Sequence, residues 1–321
     1  MKSWLYIVGM LLAVLTVDAF SADTVKIGAL TEGWGPTPAM AALRDGLNAL
    51  GYREGEQFVI GVRFTQGDLK SLPEAARDLV RSGSTVIFAS GPNAAKAAQA
   101  ATTTVPIVFA EDISDPVKLG LVRSYAYPGG NVTGITDLAQ ELGPKRLEIF
   151  KELLPGLKRV LFPYDPTEGP AVEALRISRD AARRLGITLI ERPLRTEDEA
   201  RIAFAALRDS GADGIVLFGT LSLNIPGLIL EMTPQHGLPS MFNAAYWAER
   251  GALASYGADY HESGRLAARL VDKIIRGEKP ATIPVESNPR IELVVNLKVA
   301  KALGLSLTPT ALRHATRVIE Q

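Results

Sequence analysis

From residue 25 onward, short apolar and β-branched runs alternate with longer stretches whose apolar positions recur every three or four residues. In the first half, runs at 25–30, 58–64, 85–89, 107–110 and 132–136 have the length and residue types of strands. Helical spacing fills 39–50, 72–81 and 93–102, and each stretch has a stop: Gly51, Gly83 and Val105-Pro106. Strand, helix, strand in repeated order predicts a parallel sheet covered by helices on both faces. The second half repeats that architecture without repeating the sequence. Its strand-like runs lie at 159–162, 187–191, 214–218, 240–242 and 253–256, with helical patterns at 145–154, 171–185, 197–209 and 228–236. A helix over 263–276 stops at Gly277, and the tail adds a strand at 291–295 and a helix at 297–303 before Gly304.

The first residues do not belong to this pattern. Met1-Lys2-Ser3 is followed by an apolar run from Trp4 to Val17 and then by small residues, which is the layout of a secretory signal peptide over 1–21. About 14 apolar residues fall short of the roughly 20 that cross a bilayer. Ala19 and Ser21 occupy the small positions expected before a cleavage at Ala22. No cysteine follows, so a lipid anchor on cysteine is excluded. The expected location is the periplasm.

Length and charge narrow the function. The chain has 321 residues, which at roughly 150 per domain predicts two α/β units. Lys+Arg is 35 and Asp+Glu is 35, so no cationic excess exists to neutralise a nucleic-acid backbone. The absence of cysteine removes disulfides, thiol nucleophiles and thiolate metal sites, and three scattered histidines form no local zinc motif. No metal or cofactor is expected.

Sheets of this class bind ligands beyond the carboxyl ends of their strands, so two facing sheets would surround one cleft with loops. Ser90-Gly91-Pro92-Asn93 joins a strand to an alanine-rich helix, and its helix start suits an anion such as a carboxylate, or serves only as a cap. The Gly-x-x-x-x-Gly-Lys spacing of a phosphate loop is absent. Glu111-Asp112-Ile113-Ser114-Asp115-Pro116 offers three carboxylates and a hydroxyl for an ammonium group or for hydroxyls, while Asp115 alternatively caps a helix near Pro116. Trp34, among glycines in the first loop, can stack on a ligand or pack on its own lobe. Tyr164 and Asp165, Thr220, Asn243 and Asp259 follow later strands and complete the candidate ligand-binding set; turn chemistry explains Tyr164 and Thr220 equally, and a solvated rim is the default for Asn243 and Asp259. No Gly-x-Ser-x-Gly elbow is present.

Taken together, the motifs resemble a known family. They include Gly46-Leu47 with Leu50-Gly51-Tyr52 and Gly55, Val105-Pro106-Ile107-Val108-Phe109, Ser114-Asp115-Pro116-Val117, and Pro128-Gly129-Gly130-Asn131-Val132-Thr133-Gly134. Tyr256-Gly257 with Asp259-Tyr260, Gly264-Arg265, Arg276-Gly277-Glu278-Lys279-Pro280 and Asn296-Leu297-Lys298 follow in order. Their order and spacing over nearly the whole mature chain resemble the ABC-transporter substrate-binding proteins of type I periplasmic-binding-protein fold, in the branch that includes aromatic amino-acid binders. The first loop, with Trp34, and Phe162-Pro163-Tyr164-Asp165-Pro166 depart from the family pattern, which bears on the ligand more than on the fold.

The resemblance implies two doubly wound parallel-sheet α/β lobes joined by crossover hinges. Lobe 1 would take 22–136 and about 257–285, and lobe 2 would take 137–256 and about 286–321, with hinges near Thr136-Asp137, Tyr256-Gly257 and 284–289. It also implies a small-molecule ligand, such as an amino acid or other small carboxylate, held between the lobes and passed to an ABC permease in the membrane. A ligand carboxylate would then sit at Ser90-Gly91-Pro92-Asn93, with Ser114-Asp115, Tyr164-Asp165 and Asp259 lining the cleft. Two alternatives stay open: an exported α/β hydrolase using the Asp112/Asp115 loop, and a ligand-sensing domain for a membrane receptor. A transcription regulator of this fold would carry DNA-binding helices where the signal pattern stands.

Overall fold

The computed structural model describes residues 24–33, 35–137, 141–207, 210–217 and 225–320. The expected signal peptide, Trp34 and Thr220 lie outside the described residues. The chain builds a first sheet from β1 (Val25–Thr31), β2 (Phe58–Phe64), β3 (Val86–Ser90), β4 (Ile107–Ala110) and β5 (Val132–Thr136). Helices α1 (Pro38–Ala49), α2 (Leu72–Arg81) and α3 (Pro92–Ala101) connect them. It then crosses to a second unit: α4 (Gly143–Leu153), β6 (Arg159–Tyr164), α5 (Gly169–Arg184), β7 (Thr188–Pro193), α6 (Glu197–Ala205), β8 (Gly214–Val216), α7 (Ile225–Gln235), β9 (Ser240–Phe242), α8 (Ala245–Glu249) and β10 (Ala254–Ala258). It returns to the first with α9 (Tyr260–Ile275) and β11 (Glu286–Ser287). It ends in the second with β12 (Ile291–Asn296), α10 (Leu297–Ala302), α11 (Pro309–Arg313) and β13 (Arg317–Ile319).

The first sheet has the order β11-β5-β4-β3-β1-β2 and is parallel throughout. Central strands buried on both faces read as unbroken apolar runs, as β3 does with all five residues buried, whereas the edge strand β2 alternates in and out. One face packs on α1 and α9 through Leu43, Leu47, Leu270 and Val271; the other packs on α2 and α3 through Leu72, Leu79, Ala94 and Ala98. The second sheet has the order β13-β12-β10-β9-β8-β6-β7. It is covered by α4 and α5 through Phe150 and Leu175 on one side, and by α6 and α7 through Phe204 and Ile229 on the other. It departs from the expected all-parallel form in one place. Strand β12 pairs antiparallel with β10, because the chain re-enters this lobe from the crossover end.

The three passages between lobes follow β5, β10 and β11. Strand β10 stays in the second sheet to Ala258 and β11 stays in the first to Ser287, each one or two residues past the lobe boundaries expected at about 257 and 285, with the latter crossing inside the 284–289 stretch. At the second passage the backbone is tightly confined. A Cβ on Gly257 would stand 1.7 Å from the carbonyl oxygen of Asn243, a backbone atom that cannot rotate away. Gly257→Ala is therefore expected to lower stability by about 1–3 kcal/mol, the usual cost of overpacking. A urea melt in which the variant matches the parent would contradict this.

Candidate functional site

The carboxyl ends of β1, β3, β4 and β5 point their loops at one edge of the first lobe. Thr37 caps α1 by accepting the Met40 N–H at 3.3 Å, which fixes the loop after β1 over this edge. Ser90 closes β3 and Gly91 turns the chain with φ 97°, a left-handed value that glycine adopts without strain. Its N–H donates to the Ala110 carbonyl at 2.9 Å, tying this turn to the end of β4. Pro92 then begins α3, where a missing N–H costs nothing.

Beyond β4 the backbone does something a side-chain pattern does not announce. Glu111 and Asp112 both lie at positive φ, 66° and 54°. Two successive non-glycine residues in this region cost about 1–3 kcal/mol each and persist only where neighbours hold them. The holders are visible. Glu111 accepts from the Ala39 N–H at 3.3 Å and from the Ser90 hydroxyl, and the Asp112 N–H donates to Asp137. The outcome is that both carboxyl groups line the cleft.

Asp112 is the junction of the two lobes. Its Oδ1 accepts from Asn243 Nδ2, at the end of β9, and from the Tyr260 hydroxyl, at the start of α9, both at 2.7 Å. Behind this pair lies Arg146 of α4, fully buried, donating through Nε to the Tyr256 carbonyl at 2.9 Å. Burial pulls the Arg146 guanidinium down to about 10, while Tyr260, Asp112 and Asp137 favour its charged form. Burial raises the Asp112 carboxyl, and Tyr260, Asn243 and Arg146 oppose that rise. The Tyr260 phenol is driven well above its ordinary value by burial and by the Asp112 charge. Glu111 is pushed up to about 8, chiefly by burial, with the nearby Asp112 and Asp137 charges adding to it.

The second lobe supplies the facing wall. Short helix α8 presents Tyr246 and Trp247 edge to face, with ring centroids 5.0 Å apart, and Trp247 leans on Phe242 at 5.4 Å. Arg250 lies 3.4 Å over the Tyr246 ring. Between this wall and the loops of the first lobe is a cavity of about 410 Å³, bounded by Glu32, Ser90, Gly91, Glu111, Asp112 and Tyr260 on one side and by Tyr246, Trp247 and Arg250 on the other. That volume falls in the roughly 300–1,000 Å³ range of small-molecule sites.

The expected site residues are distributed unevenly around it. Ser90, Gly91 and Asp112 line the main cavity, and Asn243 reaches it only through its hydrogen bond to Asp112. Asn93 donates to Glu32 Oε2 at 3.0 Å, so its amide is engaged by the chain's own carboxylate; burial raises that carboxyl and Asn93 opposes the rise. Ser114 and Asp115 border a smaller interlobe cavity of about 240 Å³, shared with Asp112, Gly169 and Glu173. Asp115 accepts the N–H groups of Val117 and Lys118 at 3.1 and 3.0 Å, capping a turn and not the expected helix. Asp165 accepts from the Thr167 N–H and hydroxyl at 2.8 and 2.6 Å, and Tyr164 packs at the edge of the second lobe's core against Phe162. Asp259 caps α9 through the His261 and Glu262 N–H groups and borders a separate cavity of about 430 Å³ with Arg290 and Arg317.

Glu111 enters with the acid-rich loop, whereas Glu32, Thr37, Arg146, Tyr246, Trp247, Arg250 and Tyr260 enter the site without having been singled out as candidates. Of these, only the aromatic pair after β9 carries a local signal. Among the described residues no group of three or more His, Asp or Glu side chains is placed to hold a metal ion, and no helix is long and apolar enough to cross a membrane.

Residues 24–319 match the family model described as ABC transporter substrate binding protein. The chain is 26% identical over 290 residues to a tyrosine-binding protein of Clostridioides difficile, an alignment spanning 90% of this chain and 83% of that one. It superposes with a TM-score of 0.80 on a Streptococcus pneumonia ABC domain solved in complex with L-Trp, at 26% identity, covering 92% of this chain and all of the other. On a ligand-free, open substrate binding protein with adhesive properties from Clostridium difficile, the TM-score is 0.61 at 25% identity, with 93% and 100% covered. In this chain the Asn243 amide donates to Asp112 across the cleft, so the two lobes are in direct contact there.

Proposed function

The chain belongs to the ABC transporter substrate binding protein family, and from that premise we propose that it is an exported receptor for an amino acid with an aromatic side chain, released chemically unchanged to its own permease. The general task follows from the family: a small molecule is captured in the cleft between two lobes for an ABC importer. The finer reading is supported by one observation above the others, the 410 Å³ cavity whose walls come from both lobes and whose second-lobe wall is aromatic. A tyrosine-binding relative and one solved with L-Trp point to the same ligand class. Export is supported by the basic start, apolar run and small residues at 1–21.

The mechanism is a population shift. A ligand that touches Glu32 and Ser90 on one lobe and Tyr246 and Trp247 on the other makes all its contacts only when the lobes are together, so it binds the closed form better and draws the equilibrium there. A ligand with equal affinity for both forms would move nothing. The α5 start faces the loop at 115–119 across the smaller cavity, so separating the lobes would change the rim offered to a permease.

Thermal shift and calorimetry with L-tyrosine, L-tryptophan, L-phenylalanine and L-leucine test this reading. An aromatic amino acid at about 100 times its Kd should stabilise the chain by about 2.7 kcal/mol, and mass spectrometry should recover it intact. A flat response to all four amino acids, or a recovered product of altered mass, would contradict it.

A further inference from the structure

We propose that the main cavity selects its ligand through an ammonium group seated on the acidic wall of Glu32, Glu111 and Asp112, with Arg250 across the cleft receiving the ligand's anionic end. This rests on the amino-acid reading above, and it reverses the polarity expected at the start of α3. The polar groups there are already engaged by the chain's own acids. The Ser90 hydroxyl donates to Glu111 and the Asn93 amide donates to Glu32. A ligand carboxylate placed on that helix start would find both side-chain donors already taken and would face the Asp112 carboxylate across the same pocket, where like charges repel. An ammonium group in the same position finds acceptors with open lone pairs.

The opposite wall carries the complementary charge. Arg250 is the one basic side chain bordering this cavity among the described residues, and the face of Tyr246 holds it in place. Three acids on the first lobe and one guanidinium on the second therefore set a direction for a zwitterion, with its apolar part against Tyr246 and Trp247.

Glu111 adds a consequence that calorimetry can read. The ionisable groups facing it are Asp112, Asp137 and Tyr260, none of them cationic, and its carboxyl is held up to about 8 chiefly by burial. It thus carries a proton at pH 7. An ammonium brought against it favours the carboxylate, and the displaced proton passes to buffer. Capture of an amine below pH 8 is accompanied by proton release.

Calorimetry on the whole chain with two matched pairs of probes tests this: tyramine against 3-(4-hydroxyphenyl)propanoate, and isopentylamine against 4-methylpentanoate. In each pair the amine is expected to bind at least about 100-fold more tightly than the acid, equivalent to about 2.7 kcal/mol. Glu32→Gln, with an unchanged melting temperature, should weaken the amines about tenfold or more and leave the acids no weaker. In two buffers of different ionisation enthalpy at pH 7, an amine should release close to one proton, and Glu111→Gln should abolish that release. Acids binding as tightly as their matched amines, or no amine binding at all, would overturn the inference. Amines binding where no amino acid does would overturn the amino-acid reading alone and leave the ammonium seat standing.

Discussion

The Arg146→Met variant is expected to unfold about 3–5 kcal/mol more easily than the parent chain, the cost of removing one member of a buried charge cluster. Arg146 is fully buried on α4 and reaches the Tyr256 and Leu217 carbonyls at 2.9 and 3.4 Å. Its charge stands behind Asp112, and Asp137 also faces it. Methionine fills much of the volume but leaves two carboxyl groups and two carbonyls without their cation. Loss of that cation raises the Asp112 carboxyl further above its unfolded value, so the deficit should widen as pH rises from 5 to 8. Adding Asp112→Asn to Arg146→Met should return part of the lost stability, since it removes a charge the first change stranded. A single variant within 1 kcal/mol of the parent in urea melts would mean that this cluster does not brace the lobes.

Glu111 should leave its own mark on the stability curve. In the unfolded chain its carboxyl titrates near 4.5, and in the folded chain near 8. Between those values the folded form holds the proton more often than the unfolded form, so stability falls as pH rises, by up to about 1.4 kcal/mol per unit. Below 4.5 the group is neutral in both states and costs nothing; above 8 the full penalty is present. Glu111→Gln removes the titration while keeping shape and hydrogen-bonding capacity. The variant should therefore gain on the parent by a few kcal/mol between pH 5 and 8.5. Salt-bridged acids such as Asp78 and Glu191, whose carboxyls are lowered, act below this window and in both proteins alike. Parallel stability curves for the two proteins would contradict a buried, protonated Glu111.

Much of the fold was legible because it is written in local periodicity. The run at 25–30 became β1 and the alanine-rich stretch after Gly91 became α3, each within a residue or two of the expected ends. Strand β11 escaped notice because two residues carry no period, and only pairing with β5 makes Glu286–Ser287 a strand. Helix α8 is five residues long and offers no face to recognise.

The site was less legible, for a related reason. Arg146 sits in a helix with Lys145, Glu148 and Lys151, where an arginine ordinarily points to water; only the docking of α4 beneath the crossovers turns it inward. The start of α3 borders the cleft, yet a sequence cannot tell whether Ser90 and Asn93 await a ligand or serve Glu111 and Glu32, residues 21 and 61 positions away. Asp112 was named because its loop is acid-rich, but its partners Asn243 and Tyr260 lie 131 and 148 residues further on.

The measurement closest to the centre of this account is the distance between the lobes. Cysteines replacing Tyr127 on the first lobe and Ile202 on the second, both strongly exposed, can carry spin labels in a chain that has no cysteine of its own. Pulsed dipolar spectroscopy should give a broad distribution without ligand that resolves into one narrow distance with saturating L-tyrosine or L-tryptophan. A distribution unmoved by an amino acid that calorimetry shows to be bound would contradict capture by closure of the two lobes.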